Sequence, residues 1–159
     1  MVRATRESGV TLIEVIVGVS VISALLVAIG LSITAYMDAR ENLLTRTKAM
    51  YLAEEGYEII RALRDNDWNT IDAIAVDTTQ YLDVSPASVG VGVSPEIIDS
   101  EYRRSFIVRE VYRNGSDDIV ASTTAGATVD DGSREISVYV AGPAGTTTMQ
   151  AILANVRAI

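Results

Sequence analysis

An α+β fold, in which one long N-terminal helix carries a small antiparallel β-sheet, is predicted by three features of the sequence. These are an uncharged apolar run near the N-terminus, a proline-free segment of helical spacing directly after it, and short alternating segments in the last third. The 159 residues suffice for one ordinary domain and leave little room for a second. With 13 Lys+Arg against 21 Asp+Glu the formal net charge is -8, so the chain lacks the clustered cations that a nucleic-acid backbone requires. DNA is not an expected partner. The absence of Cys and His removes disulfide frameworks, thiolate and imidazole metal sites, Ser-His and Cys nucleophiles and imidazole acid-base chemistry. No catalytic residue, cofactor or metal ligand is therefore assigned, and the chain is not expected to be an enzyme.

The apolar run lies between Glu14 and Asp38, 23 residues without a charged side chain. At the helical rise per residue this spans roughly 35 Å, enough to cross a bilayer core once. A domain this small could hardly surround a helix that is apolar on every face, which argues against a buried core helix. The preceding MVRATRESG is short and polar, and Arg3 and Arg6 outweigh Glu7, so the N-terminus is expected in the cytoplasm and the C-terminal part outside. A secretory signal would place its small-residue cleavage site after the apolar run, where Ile33, Thr34, Ala35 and Tyr36 fit poorly. Here the suggestive small residue, Gly9, comes before it.

Glu14 stands four residues into a run that would otherwise begin at Val10. A carboxylate at the centre of a membrane helix costs about 2.5 to 3.5 kcal/mol on insertion scales, less near the helix end, and such a group usually has a partner or a task.

The segment Gly9-Val10-Thr11-Leu12-Ile13-Glu14-Val15 resembles the cleavage and methylation motif of the type IV pilin and pseudopilin superfamily. The resemblance implies that a membrane-embedded prepilin peptidase cuts after Gly9, that Val10 becomes the N-methylated mature N-terminus, and that Glu14 is the assembly glutamate. Val10 departs from the phenylalanine most common at that position. The resemblance also implies the family's lollipop-shaped α+β fold, and partners in identical or related pilin subunits of a helical filament, an inner-membrane assembly platform and, before assembly, the lipid bilayer. Tyr51-Leu52-Ala53-Glu54-Glu55-Gly56 and Ile60-Arg61-Ala62-Leu63-Arg64-Asp65 look like stretches of minor-pilin-type proteins.

The charge logic of the motif stands apart from the family. A cut after Gly9 removes two arginines and one glutamate and leaves a cationic amine on a membrane helix. In staggered helices, Glu14 of one copy could meet the Val10 amine of the next, since an unpaired carboxylate is costly in low dielectric.

Four segments are expected: a leader, 1–9; a transmembrane or filament-core helix, 10–37; an amphipathic continuation, 38–68; and a β-sheet head, 69–159. Ala49, Leu52, Ala53, Gly56, Ile59, Ile60 and Leu63 follow the i, i+3, i+4, i+7 rhythm of one apolar stripe, and Asp65-Asn66-Asp67 is the expected stop. Residues 69–100 read as polar and small. Strands are expected over 105–112, with Phe106, Val108 and Tyr112 on one face, at Ile119-Val120 after an Asn114-Gly115 turn, over 134–140, burying Ile136, Val138 and Val140, and over 148–156. That makes three or four strands, with 122–133 a loop and 141–145 a turn.

Other signals are weaker. Asp117-Asp118 and Asp130-Asp131 lack the spacing of a calcium loop and read as solvated turn acids. Trp68 reads as a residue packed at the sheet edge, and Tyr102-Arg103-Arg104 as a small basic and aromatic cluster. Two functions remain: a structural subunit of a type IV pilus or of a related secretion or competence filament, or a single-pass anchored extracytoplasmic binding or sensor module that does not polymerise. An anchored enzyme is a weaker third.

Overall fold

The computed structural model describes residues 11–85 and 88–156, which separate into two compact units, one ending at Asn42 and one beginning at Leu43. The first helix, α1, is continuous over Leu12–Asn66, a stretch with no proline to interrupt it. It passes through Gly18 and Gly30 without a break. In the first unit every described residue is exposed.

The second unit contains the rest of α1 and all of the sheet. There Ala49, Ala53, Gly56 and Ile60 are buried, and Leu52, Ile59 and Leu63 pack beside them, so the stripe is the face the spacing predicts. The expected stop is also in place, with a detail added. Asp67 has an extended backbone and its carboxylate accepts the Asn69 N–H at 3.0 Å, which caps a second short helix, α2, Trp68–Asp72. Trp68 packs against the core, and Ile71 and Ile74 are buried in it.

The sheet has seven strands: β1 Thr79–Ser85, β2 Ser88–Gly92, β3 Glu96–Ile98, β4 Tyr102–Arg113, β5 Ile119–Val120, β6 Thr128–Gly142 and β7 Gly145–Ala154. All pairings are antiparallel, in the order β2-β1-β4-β6-β7, with β3 and β5 also paired to β4. This corrects the expectation of three or four strands. The missed ones, β1 to β3, lie within 69–100, where Leu82 is the one buried side chain among the described residues of the three strands and alternation has little to mark it. The β3–β4 turn is built from Asp99 and Ser100, both with positive φ (51° and 61°), a type I′ pattern without glycine.

Phe106 and Val108 face the core as expected, but Tyr112 does not. A register shift between Glu110 and Val111 turns Val111 inward and leaves Tyr112 half-buried. The same shift explains why the expected 122–133 loop is too long. Residues 128–130 of β6 pair with Val111, Tyr112 and Arg113, and the chain between Asp130 and Arg134 forms the bulge. Ile136, Val138 and Val140 are fully buried, and the 141–145 turn shrinks to Pro143-Ala144.

Candidate functional site

From Leu12 to Met37 α1 presents apolar side chains around its whole circumference, Leu12 being 79% and Leu26 64% exposed. The segment is long and apolar enough to cross a membrane once, and none of it is buried within the chain. Three of its hydroxyls bond within the helix itself: Ser20 donates to the Ile16 carbonyl (2.7 Å), Ser32 to Ala28 (2.9 Å) and Thr34 to Leu31 (2.9 Å). Such back-bonding hides polar groups from an apolar solvent.

Glu14 poses the larger demand. It is the one charged side chain of that segment, and it makes no hydrogen bond or ion pair with any described residue. Its place in the first turn, where its own N–H bonds to Thr11 O at 3.0 Å, suits a carboxylate, since the helix dipole favours negative charge at that end. That favour amounts to about 0.3 to 1 kcal/mol at exposed positions and does not replace a counter-charge in an apolar surrounding. Gly9 and Val10, the expected cleavage residue and mature N-terminus, lie outside the described residues.

The second unit holds a different polar device. Arg104 is 2% exposed and crosses from β4 to α1. Its guanidinium donates to both Glu96 carboxylate oxygens (2.7 Å each), to Glu55 Oε2 (3.1 Å) and to the Leu52 carbonyl (2.8 Å). Burial works against the charge, but the hydrogen bond to Glu96 and the charges of Glu96 and Glu55 outweigh it and raise the Arg104 pKa. Gly56 makes the crossing possible, because a Cβ there would stand 2.8 Å from Arg104 Cδ. The basic and aromatic cluster read at 102–104 is thus divided by the pleat: Tyr102 and Arg104 point into the core and Arg103 to solvent. The signal was present in the alternation, since Arg104 is in phase with Phe106 and Val108.

Asp130 is also no free turn acid. It accepts from Arg113 Nε at 2.6 Å and from the Gly132 N–H at 2.9 Å, and hydrogen bonds from Arg113 and Ser133 hold its carboxyl below the ordinary value. Arg134 spans from β6 to Asp72 of α2. A cleft of about 400 Å³ on the sheet is lined by Asp77, Arg109, Glu110, Tyr112, Glu135 and Ile152. Arg109 is held there by Asp77 (3.3 Å) and Glu135 (3.4 Å), and Glu110 accepts from Tyr112 (2.7 Å). No three His, Cys, Asp or Glu side chains converge as metal ligands among the described residues.

Apart from the buried Arg134 Nε, which has no acceptor among the described residues, the largest chemical requirement left unmet is the exposed apolar helix with its carboxylate. Comparison with protein-family models, with curated proteins and with solved structures gave no match.

Proposed function

We propose that the chain is a structural subunit of a type IV pilus or a pilus-like secretion or competence filament. On this reading it is inserted in the cytoplasmic membrane with its N-terminus inside, cut after Gly9 by prepilin peptidase, and transferred by an inner-membrane platform into a bundle of like helices. The observation that carries it is the uncovered segment Leu12–Met37 with one first-turn carboxylate that has no partner among the described residues.

The physical steps are few. Lipid covers the apolar circumference before assembly, and neighbouring helices cover it afterwards. Van der Waals packing drives helix association, because lipid tails and leucines are equally apolar. Packing alone leaves the axial register open. Pairing between Glu14 of one copy and the new Val10 amine of the next selects one stagger, since any other leaves two charges unpaired in low dielectric. Cleavage is then an assembly switch: it removes Arg3 and Arg6 and creates the amine that Glu14 needs.

The test is incubation of the full-length chain in membranes with prepilin peptidase. The expected result is loss of nine residues, a new N-terminus at Val10, and no reaction with Gly9→Val. A chain left intact in its unaltered form contradicts the reading and leaves a permanently anchored module.

A further inference from the structure

Among the described residues the sheet ends in two open edges, and both are unusual for so acidic a chain. β7 reads GTTTMQAILA and β2 reads SVGVG, and neither has a charged residue or a proline. Open edges are normally blunted by lysine, proline or bulges, because their free N–H and C=O groups invite another strand. The β6–β7 pairing has no register shift, and among the described residues β7 pairs with β6 alone.

The phase of the ladder shows what the β7 edge offers. The Asn155 N–H donates to Gly132 O at 2.8 Å, so the odd-numbered residues of β7 bond to β6. The even-numbered ones, from Thr146 to Ala154, then turn their N–H and C=O outward. The Ala154 carbonyl accepts from Arg64 at 3.5 Å, which agrees with this phase and leaves Thr146, Thr148, Gln150 and Ile152 to present the edge.

The opposite edge carries a second sign of a missing neighbour. Leu82 of β1 is buried, but the same face of the β1–β2 hairpin continues into Val84, Val89 and Val91, which are 38 to 46% exposed. The apolar face runs on past its cover. On β7 the core-facing row is Thr147, Met149, Ala151 and Leu153.

We infer that the β7 edge of one copy receives the β2 edge of a second copy, so that the sheets of adjoining subunits join. A second copy fits because one sheet supplies both edges, and two chains of net charge -8 meet with least repulsion along uncharged strips. The join would set the hairpin valines of one copy beside the Met149 row of the next. Alternation across β2-β1-β4-β6-β7 makes β2 and β7 run the same way, so copies in one orientation join through a parallel pair. Such head-to-tail contact is heterologous, and it extends into a filament wherever the rotation between copies does not close a ring. The inference rests on the filament reading for its open-ended geometry.

The chain has no cysteine, which permits a direct test in the full-length protein. Gln150→Cys and Gly90→Cys are placed in one chain, position 90 having open space for a Cβ, and membranes and sheared fibres are treated with a short bismaleimide. A ladder of dimers, trimers and higher multimers is expected. Each single variant alone should give none, and Thr148→Pro, which removes an outward N–H without touching the β6 ladder, should abolish the multimers. Dimers from Gln150→Cys alone would overturn the inference in favour of a two-fold β7–β7 contact. Fibres without any ladder would overturn it while sparing the filament reading. A ladder in membranes that yield no fibres would uphold the join and count against the filament.

Discussion

The two parts of α1 are one unbroken helix with opposite solutions to the same problem. From Ala49 to Leu63 a stripe of its apolar residues packs into the core of the second unit: Ala53 is 1% exposed and Ile60 fully buried, while Leu43, Leu44, Met50 and Tyr51 off the stripe stay exposed. From Leu12 to Met37 the apolar residues form a full cylinder, and the chain covers none of it. Both parts are helical, although the first is rich in Val and Ile and the second in the better helix formers Ala, Leu, Glu and Arg. What differs is where the compensating surface comes from: the second part finds it within its own unit, and on the proposed reading lipid or other helices supply it to the first. The polar groups divide in the same way. Arg104 finds four acceptor atoms inside its own unit, whereas Glu14 finds none among the described residues.

The comparison breaks most visibly at Arg104. Arg104→Ala should destabilise the second unit by about 3 to 5 kcal/mol, because Glu96 and the Leu52 carbonyl lose their partner in a closed site. Thermal unfolding of the full-length protein in detergent, followed by circular dichroism, measures it. Arg104→Met should recover part of the loss when combined with Glu96→Gln, since two neutral groups no longer leave a charge unpaired.

Equal truncations in the two parts sharpen the contrast. Ile60→Ala should cost about 2 to 4 kcal/mol through the cavity it leaves. Leu26→Ala, at a side chain 64% exposed, should change the same unfolding transition by less than about 0.5 kcal/mol. A comparable loss at both positions would mean that the first segment is covered within the chain after all.

These contrasts separate what the sequence makes legible from what it hides. The stripe from Ala49 to Leu63 and the buried row Ile136, Val138, Val140 were readable because period and burial coincide. β1 to β3 were not, since strands with few buried residues carry little alternation, and their pairing depends on partners distant in sequence. The register shift at Glu110/Val111 was equally hidden, and it moved the inward position from Tyr112 to Val111. Of the candidate site, Glu14 was legible as the one charge in an apolar run, and its lack of a partner is what the structure adds. The buried role of Arg104 is hidden when three adjacent residues are grouped as one patch, because a strand sends neighbours to opposite faces.

The smallest effect concerns acid. The Asp130 carboxyl titrates below its ordinary 3.8, so its contribution to the second unit is complete above that value and is lost as the pH falls through the lowered pKa. Unfolding midpoints of the parent and Asp130→Asn should therefore differ at pH 6, and the difference should shrink as the pH falls below 3.8 and through the lowered pKa. A difference that persists unchanged in acid would contradict the Arg113–Asp130 pairing.

The central claim is that Glu14 finds its counter-charge on a neighbouring copy, and the most direct measurement is the fibre yield of Glu14→Gln. Cells expressing it should hold normal amounts of processed protein in the membrane and shed few or no fibres on shearing, because the helices have lost the contact that selects their stagger. Fibres in normal number, with normal cleavage at Gly9, would contradict the account.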